Sequence, residues 1–171
     1  MSSTRSTAPV AAVALALALG LSACSAGDDS GSRSGDGPRL RAEGGFVPRP
    51  VLKDLAAGYL TVRNDGAADD RLTAVSTDLA ADVTLHTSEG ERMRAVDGLD
   101  VPASGGTPAN EGVVGGGGEL TLARGGAHLM LEKLDRRPEV GEKVSSVLHF
   151  ATSEPIEVEV PVRPTTYRPA K

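Results

Sequence analysis

The chain has 171 residues, 18 of them basic and 23 acidic, so its formal net charge is −5 at neutral pH. A mildly acidic chain with few aromatic residues and no basic run argues against nucleic-acid binding and against a polybasic membrane patch. The length suffices for one domain, whose core must come from Val, Leu, Ile and Ala because Phe and Tyr are so few.

Residues 1–23 are predicted to be a signal peptide. Arg5 precedes an apolar run, and Leu21-Ser22-Ala23-Cys24 follows that run. This order is typical of a secretory signal, and the run is shorter than the roughly 20 residues of a membrane-spanning helix. The end of the segment resembles a bacterial lipobox, which implies cleavage before Cys24 and its diacylation. A plain signal peptide and a transmembrane helix are the alternatives. We expect a protein anchored by lipid to the outer face of the cell membrane.

Residues 24–44 are predicted to be a flexible tether, because Gly, Ser and Asp dominate them. Cys24 is the only cysteine, so no intrachain disulfide can form. Once Cys24 is lipidated, the mature protein has no thiol, and a soft metal site must use thioethers and imidazoles. These ligands form no disulfides, which suits an oxidising compartment.

Residues 45–163 are predicted to form a single all-β domain. Short alternating runs, separated by Gly, Pro and Asp, favour a β-sandwich or barrel, and no long helical period is present. We expect a Gly-rich surface loop at 102–118 and a tail at 164–171. The predicted strands lie at 57–63, 71–75, 82–86, 91–96, around Leu120 and Leu122, around His128, and at 143–151 and 155–162.

His128 and Met130 form the most informative pair in the chain. Alternate side chains of a strand point to opposite faces, so Leu129 and Leu131 are expected to face the core. His128 and Met130 then share the face that the core does not use. Imidazole and thioether are soft ligands, which select Cu(I). Zinc is a weaker alternative because thioethers bind it poorly.

A second His–Met pair precedes the first. The chain has three histidines and, besides the initiator, two methionines. Met93 follows His86 by seven positions, and His86 is expected on the outward face at the end of its strand. We interpret His149 as a structural or surface histidine. Two His–Met pairs from so small a supply favour a shared metal site.

The pattern resembles the periplasmic copper chaperones of the PCuAC type, in a lipoprotein form, over about residues 56–163. The resemblance implies a cupredoxin-like, Greek-key β-sandwich and a Cu(I) site made of His86, Met93, His128 and Met130. Its segments are Ala-Gly-Tyr-Leu-Thr-Val-Arg-Asn-Asp-Gly from Ala57, Val-Thr-Leu-His86, Met93-Arg-Ala-Val, Gly-Gly-Ala-His128-Leu-Met130-Leu and the closing Val-Glu-Val-Pro-Val-Arg. Thr87 and Ser88 stand where such chaperones often carry extra methionines.

The resemblance implies a metallochaperone that is not an enzyme. Its partner would be a copper-accepting membrane cuproprotein, such as a cytochrome c oxidase subunit with its copper centre or an assembly factor of that oxidase. We expect a monomer that binds no nucleic acid and releases copper towards pH 5, since protonated His cannot bind metal. The main alternative is a metal-free, immunoglobulin-like lipoprotein that holds another envelope protein. An enzyme is a third class, but no nucleophile elbow or zinc-protease helix is present.

Overall fold

The computed structural model describes residues 37–89, 92–106 and 117–169. The predicted signal peptide, Cys24 and most of the predicted tether lie outside the described residues, as does the middle of the Gly-rich loop. Ten strands form the described fold: β1 (Leu40–Pro48), β2 (Leu55–Asn64), β3 (Asp70–Thr77), β4 (Ala80–Glu89), β5 (Arg92–Val96), β6 (Leu99–Val101), β7 (Glu119–Leu122), β8 (His128–Leu134), β9 (Lys143–Phe150) and β10 (Ile156–Arg163). The described residues contain no α-helix, and the all-β prediction is confirmed.

Every strand expected from alternation is present, but β1 and β6 were not predicted. β1 begins at Leu40, inside the stretch predicted as tether, and pairs with β2 from Leu40 to Phe46. The folded domain therefore begins five positions earlier than the predicted start at residue 45. Gly44 and Gly45 interrupt the alternation of β1, which concealed it from the sequence pattern. β6 has three residues, too few to show a period.

β1 joins two layers of strands. It pairs antiparallel with β2 up to Phe46 and then parallel with β10 at Val47 and Pro48. The pairing register shifts between Glu43 and Phe46, and Gly44 has a φ of 64°, a left-handed conformation that glycine adopts without strain. This bulge bends β1 from one layer towards the other.

The strand order is β5-β4-β8-β2-β1-β10-β9-β3-β6, and β7 extends the free edge of β2. β2 pairs with β8 from Leu55 to Gly58 and with β7 from Leu60 to Arg63. Neighbours such as β4 and β8 are not consecutive in sequence, so connections cross between the layers as in a Greek-key sandwich.

The core between the layers consists of aliphatic side chains, as the composition required. Leu60 and Val62 of β2 face inward as predicted, and Val160 and Val162 of β10 are buried too. Burying one such side chain contributes about 1.5–3 kcal/mol. The fully buried large aliphatic residues include Leu72, Leu79, Leu99, Leu120 and Leu148.

Two buried polar side chains, Asn64 and Asp70, stabilise the β2–β3 end of the sandwich. Asn64 Oδ1 accepts hydrogen bonds from the backbone N–H of Arg39 at 3.0 Å and of Gly66 at 2.9 Å. Its Nδ2 donates to the carbonyl of Ala68 at 2.8 Å. The side chain thus holds together the turn between β2 and β3 and the start of β1.

The Asp70 carboxylate accepts three backbone N–H groups, from Arg71 at 2.7 Å, Thr152 at 3.1 Å and Ser153 at 2.9 Å. Burial alone would raise the pKa of Asp70, but the hydrogen bonds from Ser153, Arg71 and Thr152 together lower it. Asp70 is therefore held as a carboxylate and ties β3 to the loop after β9.

The segment after β10, predicted as a tail, packs on the domain as far as residue 169. The Tyr167 ring lies 5.0 Å from that of Phe46 in an edge-on arrangement. Thr165 Oγ1 donates to the Arg49 carbonyl at 3.1 Å. No helix in the described part of the chain is long and apolar enough to span a membrane.

Candidate metal centre

Strands β4 and β8 bring the two predicted histidines into direct opposition. In this antiparallel pair His86 is opposite His128, and Thr84 is opposite Met130. Side chains of directly opposed residues lie on the same face of a sheet, about 4.5–5.5 Å apart at Cβ. Leu129 occupies the other face and is 4% exposed, as the predicted core position requires.

The imidazoles of His86 and His128 form a close pair. Their ring centroids are 5.6 Å apart and their planes are inclined by 32°. Nδ1 of His128 lies 3.0 Å from the Gly126 carbonyl, an acceptor, so Nδ1 carries the proton and donates. This tautomer leaves the Nε2 lone pair of His128 free to bind a metal.

His86 has a buried nitrogen without a hydrogen-bond partner. Its Nε2 lies 3.0 Å from Thr84 Oγ1, whereas its Nδ1 has no partner among the described residues. A proton on Nε2 can be donated to Thr84, and the lone pair then stands on Nδ1. An unpartnered acceptor inside a protein is costly, and binding a metal ion would satisfy it.

The burial of His128 differs from the prediction. We expected it on a face that the core leaves open, yet His128 is 6% exposed. β8 is a central strand between β4 and β2, and the His86 ring of β4 lies beside the His128 ring. His86 is half-buried, and it does not end its strand, since β4 continues to Glu89.

The two methionines occupy different positions relative to the histidine pair. Met130 is half-buried and lies next to His128 on the same face of β8, opposite Ala57 of β2. Met93 is opposite Ser88 on the edge strand β5 and is 62% exposed. The register therefore brings His86, His128 and Met130 together. Met93 shares their face, diagonal to His86 and on the side away from Met130.

The surroundings of His86 favour its neutral form. Burial lowers the pKa of His86, the nearby His128 lowers it further, and Glu132 opposes both. A metal binds the neutral imidazole only, so His86 is ready to act as a ligand at neutral pH. Glu132 is exposed on β8, opposite Asp82, at the rim of this face.

The region matched by a family model covers almost the whole described domain. The family described as "Putative lipoprotein LpqE-like" matches residues 40–162. The chain belongs to the LpqE-like family. The match begins at the first residue of β1, in agreement with the start of the fold.

The LpqE-like chain is similar to three proteins that extend this comparison. "Putative lipoprotein Lxx21020" of Leifsonia xyli is 29% identical over 157 residues, covering 86% of this chain and 85% of its own. The apo PCuAC domain of PmoF2 has a TM-score of 0.61 at 20% identity, covering 77% of this chain and 94% of that domain. The solution structure of CuI-DR1885 from Deinococcus radiodurans has a TM-score of 0.59 at 27% identity, covering 82% of this chain and 87% of that one. The predicted PCuAC resemblance and cupredoxin-like fold are confirmed.

The third histidine of this LpqE-like protein lies away from the pair. His149 is on β9, in the other layer, and its Nε2 is 3.2 Å from Ser76 Oγ. Within the described ranges no three His, Cys, Asp or Glu side chains are grouped closely enough to hold a metal.

Sequence reasoning did not identify Thr84 and Gly126, which orient the two imidazoles. The signal for Thr84 was present, since it lies two positions before His86 and alternation puts both on one face. Gly126 contacts His128 through its carbonyl oxygen, and a backbone contact leaves no residue-type signal in the sequence.

Proposed function

We propose that this LpqE-like protein binds Cu(I) as cargo outside the cytoplasm and delivers it to a copper-dependent membrane protein. His86, His128 and Met130 would form the centre of the site, with Met93 as the fourth ligand. The observation that carries the proposal is the cross-strand histidine pair with a methionine beside it and an unpartnered buried nitrogen on His86.

The donor set supports copper in its reduced state. Two neutral imidazoles and two thioethers carry no charge, and soft ligands of this kind favour Cu(I). The hydrogen bonds at Gly126 and Thr84 orient the rings through the nitrogens that would not bind copper. Such outer partners raise ligand basicity and fix ring orientation. One of the similar structures is that of CuI-DR1885, a Cu(I) form.

Met93 would complete the site from the edge strand. Its side chain is unbranched and 62% exposed, and Met adapts its conformation readily. An exposed ligand at the edge can dissociate while the other ligands stay in place, and the buried His128 holds the ion until transfer. This division suits delivery better than permanent storage.

The acceptor we propose is a cuproprotein of the same membrane surface, with the copper centre of cytochrome c oxidase as the named candidate. Lipid at Cys24 would keep the domain at the outer face of that membrane, and the remaining tether would let it reach the acceptor. Membership in a lipoprotein family supports this location. In this role the protein is a carrier and not an enzyme.

Cu(I) affinity measured against a competing chelator under reducing conditions tests the proposal. We expect one Cu(I) per chain. Loss of an outer partner lowers metal affinity about 10–100-fold. We expect a larger loss of Cu(I) affinity in each of the ligand variants His86→Ala, His128→Ala and Met130→Leu. Met93→Leu should lose less, because the residue lies at the edge. His149→Ala is the matched control and should bind Cu(I) as the unmodified protein does.

Equal Cu(I) affinity in the His128→Ala and His149→Ala variants would reject the site. Absence of stoichiometric copper in the unmodified protein would favour the metal-free interaction module. For the delivery step, the Cu(I)-loaded domain is mixed with the soluble copper domain of cytochrome c oxidase. If the copper stays on the LpqE-like protein, this acceptor is rejected, whereas the proposed copper-binding site is not.

A further inference from the structure

An aromatic row continues the proposed metal face towards β1 and the C-terminal segment. Tyr59 is two residues from Ala57 on β2 and shares the face of Met130. Its ring lies 5.2 Å from that of Phe46, and the Phe46 ring lies 5.0 Å from that of Tyr167. Three of the four aromatic residues of the chain thus form one cluster beside the site.

Two exposed arginines, Arg124 and Arg163, lie over rings of this row, and the exposed Arg168 lies beside it. The guanidinium carbon of Arg124 lies 5.5 Å from the centre of the Tyr59 ring, and that of Arg163 lies 5.3 Å from the Tyr167 ring. Arg124 also donates to the Thr165 carbonyl at 3.1 Å, and Arg168 donates to the Tyr167 carbonyl at 3.1 Å. The ring contacts orient the guanidinium groups of Arg124 and Arg163 towards Tyr59 and Tyr167.

The charge of these arginines is not balanced locally. Across residues 37–89, 92–106 and 117–169, no carboxylate forms a salt bridge with Arg124, Arg163 or Arg168; the ion pairs there involve other arginines and lysines. The chain as a whole carries −5. A group of unpaired cations on an acidic chain favours an anionic partner through charge complementarity.

An apolar groove runs between Arg124 and Met130. It has a volume of about 300 Å³, and its lining includes Tyr59, Arg124 and Met130. Val51 and Leu52 at its rim are 75% and 55% exposed. Large exposed aliphatic side chains beside oriented arginines are typical of a protein-binding surface.

We propose that this basic aromatic surface, formed by Tyr59, Tyr167, Arg124, Arg163 and Arg168 with the groove at Val51 and Leu52, docks an acidic segment of the copper acceptor that also carries aliphatic side chains. That the segment belongs to the copper acceptor rests on the proposed function. That this surface binds an acidic segment does not. Docking there places the acceptor beside Met130, so that copper leaves the site on the side of the bound partner. An anionic lipid surface has related chemistry, but the apolar groove beside Met130 can take up the aliphatic side chains of a protein segment.

The test uses the copper-free domain and two fluorescent peptides. One alternates Glu and Leu, and the other has Lys in place of every Glu. We expect the Glu–Leu peptide to bind and the Lys–Leu peptide not to bind. Affinity for the Glu–Leu peptide should fall about tenfold between low and high salt, since exposed charges are screened.

Charge-reversal variants locate the binding surface. Arg124→Glu combined with Arg163→Glu should weaken the Glu–Leu peptide about tenfold or more. Arg168→Glu should weaken binding of the Glu–Leu peptide as well. It should disturb the fold least, because the hydrogen bond of Arg168 in the described structure goes to a backbone carbonyl alone. Arg41→Glu is the matched control. Arg41 is exposed, lies on β1 away from this surface and forms an ion pair with Asp65.

Equal binding of both peptides, or equal losses in Arg41→Glu and Arg168→Glu, would overturn the proposal. Binding to phosphatidylglycerol vesicles without binding of the Glu–Leu peptide would overturn it in favour of a membrane surface. Cu(I) affinity of the same variants is measured in parallel. If the charge-reversal variants lose peptide binding but keep their copper affinity, the docking surface is supported. The copper affinity of His86→Ala tests the proposed function separately.

Discussion

Asn64 and His86 are both polar side chains within strands, but their hydrogen bonding differs. Asn64 is 1% exposed, and both polar atoms of its amide are paired with backbone groups. His86 is half-buried, and its Nδ1 is buried without a hydrogen-bond partner in the part of the chain that the structure describes. Asp70, beside Asn64, likewise accepts three backbone N–H groups.

This difference separates a structural polar cluster from a binding site. A fully paired cluster stabilises one conformation and has no capacity left for a ligand. The histidine pair keeps an unpaired nitrogen that can bind a ligand, and this unpaired nitrogen lowers the stability of the fold. An unpartnered atom alone does not identify a site. The hydroxyl of Thr87, on the opposite face of β4, also lacks a hydrogen-bond partner within residues 37–89, 92–106 and 117–169. The neighbouring imidazole of His128 and thioether of Met130 distinguish the two cases.

The largest effect is expected at Asn64. Asn64→Ala leaves the N–H groups of Arg39 and Gly66 without their acceptor, so the free energy of unfolding should fall by about 3 kcal/mol. Urea denaturation measures the loss. Cu(I) affinity of the folded variant should stay unchanged, and Ser145→Ala, with an exposed side chain, should change neither quantity. A fall in copper affinity at Asn64→Ala would remove the contrast between the two regions.

Asp70→Asn should lower stability in a pH-dependent way. The pKa of Asp70 is lowered in the fold, so its carboxylate stabilises the protein above the unfolded-state value of about 3.9. That contribution is lost as the pH falls through the lower folded-state value. We expect the variant to be about 1–2 kcal/mol less stable at pH 7, with a smaller difference at pH 3. Urea curves at both pH values measure it, and a constant difference would contradict the assignment.

Thr84→Val tests the orientation of His86. Valine keeps the shape of threonine but removes the hydroxyl within reach of Nε2. Cu(I) affinity should fall about tenfold, the lower end of the range for an outer partner, while stability changes little. Thr73→Val on β3 is the control and should leave copper affinity as it is. Equal affinity in both variants would mean that Thr84 does not orient the ring.

The smallest expected effect is the shift in the pKa of His86. Its pKa is lowered by burial and by His128, so nuclear magnetic resonance should find its midpoint below 6.5. Copper release should follow that midpoint, in the same direction as the release expected on acidification towards pH 5. The unfolded state binds the proton more readily, so the copper-free protein should lose stability as the pH falls from 6.5 through the midpoint. Glu132→Gln should lower the midpoint further, because Glu132 raises it; an upward shift would contradict this picture.

Local patterns in the sequence determined most of the strands and the inward side chains. Alternation depends only on neighbouring residues, so Leu60 and Val62 could be assigned to the core without a structure. The same alternation put His128 and Met130 on one face. β1 was missed because its bulge at Gly44 breaks the period.

Only the tertiary structure decided how the two His–Met pairs meet. The register of β4 on β8 sets His86 opposite His128, whereas the β4–β5 hairpin leaves Met93 at the edge. Strand pairing joins residues far apart in sequence, and a shift of one position would send a side chain to the other face. The burial of His128 and the arginines over Tyr59 and Tyr167 depend on the same long-range packing. The sequence therefore identified the candidate ligands, and the packing of the strands determined which of them lie together.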